Sequence, residues 1–109
     1  MPYTIETTPH FDKEAKRLIK KYASLKQEIK NLSNQLKETP ELGSPLGNNV
    51  FKIRLAIASK GTGKRGGARV ITYVLVENTK VFLLSIYDKG EKDTVSDKEI
   101  QNILTNELS

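Results

Sequence analysis

The 109-residue chain has no cysteine and no tryptophan, and its only histidine is His10. Without thiols there is no disulfide framework, no thiolate nucleophile and no Cys/His zinc site, and a lone imidazole excludes a two-histidine nuclease. No apolar run is long enough to span a bilayer. The opening MPYTIETTPH has neither the basic nor the apolar segment that directs secretion, so a cytoplasmic protein without a membrane partner is expected. Any chemistry falls to Lys, Arg, Tyr, Asp, Glu and hydroxyl groups, with no metal site and no cofactor motif.

Acids are missing from one long stretch. Between Glu41 and Glu77 there is none, whereas Lys52, Arg54, Lys60, Lys64, Arg65 and Arg69 all fall inside it. Six of the 18 basic residues are therefore uncompensated locally, in a chain of net charge +5 and pI near 9.5. That distribution points to an anionic partner. With 37% apolar and 28% charged residues, the composition is that of a globular protein, and the length is that of one domain over residues 1–109.

Tyr3 to Thr7 alternates as a short strand and runs into Thr8-Pro9, an N-cap followed by proline at the first helical position. Phe11, Ala15, Leu18, Ile19 and Tyr22 recur at helical spacing, and Leu25, Ile29, Leu32 and Leu36 repeat the stripe after Ser24, a second cap candidate. An antiparallel helical hairpin follows. Val50 to Ile57, Ala68 to Val76 and Val81 to Tyr87 are three strands in a meander, and Ser96 to Glu99 is a capping box opening a final helix. The expected fold is α+β: an antiparallel twisted sheet, one face of which receives the helices while the other carries Lys52 and Arg54.

The stretch SKGTGKRGGAR, residues 59–69, has four glycines and four basic residues. Its G-T-G-K-R-G matches a dinucleotide-binding pattern literally, but a strand and not a helix follows. A Walker A loop fails as well, with Ala58 and Arg65 where glycine and Ser/Thr belong. A mobile, basic hairpin loop is expected, with Lys60, Lys64 and Arg65 meeting RNA phosphates. Lys52 and Arg54, two apart on one strand, project from one face about 7 Å apart, and Arg69 opens the adjacent strand. Clustered cations suit phosphoryl transfer, because they stabilise the added charge of the transition state. Tyr73 and Tyr87 read either as platforms and proton donors for RNA or as core. Asp88, Glu91 and Asp93 read as a solvated connector.

F-K-I-R-L, G-A-R-V-I-T-Y and I-Y-D-K-G-E-K-D, in that order before a terminal helix, resemble the RelE/ParE superfamily of bacterial toxins, and the extended basic loop resembles its HigB-like branch. The resemblance implies the toxin of a type II toxin-antitoxin pair, acting as a ribosome-dependent endoribonuclease on mRNA, with a cognate antitoxin, the ribosome and mRNA as partners. It implies catalytic roles for Lys52, Arg54 and Arg69, with Lys89 as a further cation. The reaction implied is metal-free attack by the 2′-hydroxyl on its adjacent phosphate, with a lysine such as Lys52 as base. Val95 stands where RelE carries a tyrosine, a place for which Tyr87 or Lys92 is the substitute. The alternatives are a gyrase-inhibiting toxin of the ParE kind and a non-catalytic RNA- or ribosome-binding protein.

Overall fold

Thr8 accepts a hydrogen bond from the Phe11 amide through its side chain, and Pro9 follows at the first helical position, so the first helix starts where its cap and proline dictate. The computed structural model describes residues 2–108. In chain order they form β1 (Thr4–Thr7), α1 (Pro9–Lys21), α2 (Leu25–Glu38), β2 (Ser44–Gly47), β3 (Val50–Leu55), β4 (Ala68–Leu75), β5 (Lys80–Asp88) and α3 (Asp97–Glu107). The final helix opens with the expected capping box between Ser96 and Glu99.

The five strands lie in the order β1-β5-β4-β3-β2. The three strands of the meander pair antiparallel as expected and β2 adds antiparallel to β3, but β1 runs parallel to β5, so the sheet is mixed. A parallel pair needs a long crossover, and the helical hairpin together with the meander supplies it. β2 is an addition to the expected elements. It contains Pro45, follows Gly43 and ends in Gly47, a composition that reads as a loop, yet it pairs Ser44 with Lys52 at the sheet edge, where proline is tolerated.

Both faces of the sheet are covered. Ile53, Val70, Val74, Val81 and Ile86 pack against Phe11, Leu18, Leu25, Leu32 and Leu36 of the hairpin. Val50, Ile71, Leu84 and Tyr87, on the opposite face, pack with Val95, Ile100 and Ile103. The expectation that all helices share one face is thereby corrected. Alternation leaves a second apolar patch on the far face of the strands, and α3 is the element that buries it.

Asp88 ends β5 as a buried carboxylate, not as part of a solvated connector. Its Oδ1 accepts from Lys60 Nζ at 2.6 Å and from the Gly90 amide at 2.9 Å, and its Oδ2 accepts from the Tyr22 hydroxyl at 2.5 Å. Burial raises its pKa, and the hydrogen bonds from Lys60, Tyr22 and Gly90 overcome that and lower it to about 2. A depressed carboxylate stabilises the fold above its ordinary pKa of 3.8 and loses that contribution as the pH falls towards the folded value. Asp88→Asn is therefore expected to cost on the order of 2 kcal/mol at neutral pH and to flatten the acid decline between about pH 4 and about pH 2. Urea unfolding across that range measures both; an acid limb identical to wild type would refute the anchor.

Candidate active site

Strand register gathers the predicted cations. Arg54 lies directly opposite Arg69 across β3 and β4, and Arg69 lies opposite Tyr87 across β4 and β5. Lys52, opposite Ile71, is one pleat further along the same face as Arg54. Lys52 is half-buried and Arg54 exposed. Among the described residues neither takes part in an ion pair, nor does Lys64 or Arg65.

Arg69 behaves differently. It is only 5% exposed, and its guanidinium donates to the carbonyl oxygens of Lys64 (2.8 Å), Ala68 (3.1 Å) and Arg65 (3.1 Å). The planar fork of arginine suits several carbonyls at once. Arg69 therefore holds the basic loop in place.

The loop expected as a mobile finger is bonded to the rest of the fold at both ends. The Ser59 amide donates to Ser24 Oγ at 2.9 Å, the Ala58 amide donates to Glu28 Oε2 at 2.7 Å, and the Lys89 amide donates to the Gly67 carbonyl at 2.9 Å. Ser24 makes no side-chain cap bond to α2, because its hydroxyl is engaged with the loop. Gly67 is required by packing, since a Cβ there would collide with the Leu55 carbonyl oxygen. Lys60, expected to meet RNA, is turned inward: its ammonium is bound to Asp88 and lies 5.9 Å from the centre of the Tyr22 ring.

The other expected residues separate. Lys89 Nζ is bonded to both the carboxylate and the backbone carbonyl of Asp93, each at 2.8 Å. The Lys89 hydrogen bond lowers the Asp93 pKa, with the charge of Lys52 adding to the effect, which places the two lysines around one exposed acid. Lys92 is paired with Glu99 of the capping box at 2.7 Å. Tyr87 is 3% exposed within the cluster under α3, its hydroxyl without a partner among the described residues. Val95 sits in the same cluster, so Tyr87 is core here and does not present its phenol at the surface. Tyr73 stacks on Phe82, with centroids 6.4 Å apart, four residues and about 13 Å along β4 from Arg69.

A groove of about 530 Å³ runs between the β3 edge and α2 and is lined by Lys64 and by the strand from Lys52 to Ala56, while alternation turns the Lys52 and Arg54 side chains to the opposite face, in row with Arg69 and Tyr87. Glu28 is the acid in its wall, and its oxygens are occupied by the Ala58 amide and Ser24 Oγ. Lys52 and Arg54 thus form a basic face suited to a phosphodiester on the α3 side of the sheet. Among the described residues no cluster of His, Asp and Glu could hold a metal ion, and no helix is long and apolar enough to cross a membrane. The sequence contained no signal for the Asp88, Tyr22 and Lys60 cluster, whose members are 28 to 66 residues apart.

A family model described as the RelE toxin of the RelE/RelB toxin-antitoxin system matches residues 4–107. Among solved structures, an arginine-to-alanine double mutant of E. coli toxin RelE in the free state is similar. Its TM-score is 0.64 at 20% identity, covering 85% of this chain and 90% of that one. The toxin-antitoxin complex RelBE2 from Mycobacterium tuberculosis gives a TM-score of 0.60 at 19% identity, covering 81% of this chain and 99% of the matched chain. At such identities the likeness establishes the fold.

A pinned loop has a measurable signature. Backbone order parameters for residues 61–67 are expected near the rigid value of about 0.85, falling towards about 0.6 in Arg69→Lys, which keeps the charge and loses the fork. Low order parameters in the wild-type loop would restore the mobile finger.

Proposed function

The chain belongs to the RelE toxin family, and on that premise we propose that it is a ribosome-dependent endoribonuclease that cleaves mRNA. The observation that carries this reading is the face of β3 bearing Lys52 and Arg54, two cations in no ion pair among the described residues, beside Arg69 on an α+β toxin fold. The 2′-hydroxyl attacks its adjacent phosphorus; the 2′-O–P bond forms and the P–O5′ bond breaks, leaving a 2′,3′-cyclic phosphate and a 5′-hydroxyl. Lys52 takes the 2′ proton as the base. Arg54 holds the non-bridging oxygens, where charge accumulates in the transition state and a preorganised cation acts most strongly. Lys89, held only by the exposed Asp93, delivers a proton to the leaving oxygen. Arg69 contributes by fixing the loop that carries Lys64.

The relative from M. tuberculosis was solved as a toxin-antitoxin complex, and a cognate antitoxin is proposed for this chain too. The natural target for such a partner is the same basic face, which an acidic segment would cover and neutralise.

Primer extension on ribosome-bound mRNA tests the reading. Wild type is expected to produce discrete cuts. Arg54→Ala, an exposed and unpaired position, should lower the cleavage rate by about 10²- to 10³-fold with the thermal midpoint unchanged. Growth arrest with intact transcripts and inhibited supercoiling would instead favour a gyrase-directed toxin.

A further inference from the structure

β2 covers only part of the edge of β3. Their pairing runs from Gly47 with Val50 to Ser44 with Lys52 and stops there, while β3 continues to Leu55. On the inner side the Asn49 carbonyl accepts the Val74 amide at 2.9 Å. Antiparallel alternation then turns the backbone groups of Phe51, Ile53 and Leu55 towards β4 and those of Lys52 and Arg54 away from it. Lys52 has Ser44 opposite it, whereas Arg54 has no strand opposite its outward N–H and C=O. Beside this free edge, on the hairpin side, lies the groove of about 530 Å³, walled by Asn31, Leu32 and Gln35 of α2 and by Leu42, Ile53 and Leu55. The Arg54 side chain projects to the other face, exposed and in no ion pair among the described residues. The edge thus offers unpaired backbone, with a largely apolar trough on one side and a positive charge on the other.

We propose that this edge takes an extended segment of a partner protein as an added strand, antiparallel to β3 and in line with β2. The residue of that segment opposite Arg54 is acidic and its two neighbours are apolar, because alternation sets the first on the basic face and the other two in the groove. The proposal deepens the antitoxin reading, on which it rests for a protein partner: the acidic segment covers Arg54 by adding a strand. RNA has no peptide backbone to pair with the edge. A second copy of this chain, joined edge to edge, would set Arg54 beside Arg54, and like charges directly opposite one another are destabilising. The added strand also occupies the β3 side from which a phosphodiester would approach.

A capped heptapeptide alternating valine and glutamate, with valine at both ends, tests the site in an NMR titration of the intact chain. It is expected to bind and to slow hydrogen exchange of the Arg54 amide. Binding should be lost when the glutamates are N-methylated, because their N–H groups point at β3, and kept when the internal valines are. Gln35→Trp fills the groove from an exposed helical position outside the proposed catalytic set. It should weaken the peptide at least about tenfold, the effect of keeping one apolar side chain out of the groove, with the thermal midpoint and mRNA cleavage unchanged. Equal losses from the two N-methylated peptides would mean capture by charge alone, overturning strand addition and leaving the antitoxin reading intact. Failure of the alternating peptide to bind would overturn it too, as would a Gln35→Trp variant that binds the peptide like wild type. An Arg54 amide already protected in a free chain of dimeric mass would give the edge to a second copy instead. Strand addition on a chain that leaves mRNA intact would sink the nuclease reading alone.

Discussion

The basic loop is held from opposite faces of the sheet by charges of opposite sign. On the hairpin side, Asp88 at the end of β5 captures Lys60 at the start of the loop, together with Tyr22 at the end of α1. On the α3 side, Arg69 at the start of β4 captures the carbonyls of Lys64 and Arg65 near the loop's end. The two anchors are adjacent in the ladder, since Asp88 pairs with Ala68, the residue before Arg69. Each is buried, which is tolerable because each is nearly surrounded by hydrogen-bond partners.

Such anchoring changes what a glycine-rich basic segment can do. A flexible loop would lose conformational entropy on meeting an anion, at a cost of about 1–2 kcal/mol for each residue that becomes ordered. Here most of that ordering accompanies folding, and Lys64 and Arg65 stand in place before any ligand arrives. Fixed charge is also the form in which a cation aids a reaction most, since nothing has to reorganise as the transition state forms. The price in sequence terms is that two basic residues, Lys60 and Arg69, serve the architecture and not the ligand directly.

Much of the fold was legible because its signals are local. Thr8-Pro9, the Ser96–Glu99 box, the two apolar helical stripes and the alternation that puts Lys52 and Arg54 on one face are each contained within a few residues. The missed features need a partner distant in sequence. Ser24 has the composition of a helix cap, yet its hydroxyl is bonded to Ser59. The segment containing Pro45 reads as a turn until β3 offers it an edge. Asp88 follows a strand and precedes a polar run, and nothing nearby in sequence announces that Tyr22 and Lys60 enclose it. The same holds for the site: the strand-borne pair was readable from spacing, whereas which cations remain unpaired depends on where Asp88, Asp93 and Glu99 come to lie.

The placement of α3 also limits where chemistry can occur. In the row formed by Arg54, Arg69 and Tyr87, the β5 end is closed: Tyr87 lies beneath Val95 and Ile100 in the second core. The β3 end is open, because β2 pairs with β3 only as far as Lys52 and leaves Arg54 exposed beyond it. A phosphodiester can therefore enter only from the β3 side and the loop. It meets ammonium and guanidinium groups there, and neither an imidazole nor an accessible phenol. Under the proposed nuclease reading, catalysis rests on positioned positive charge and a lysine amine, and the anchoring of the loop by Asp88 and Arg69 is what holds part of that charge in place.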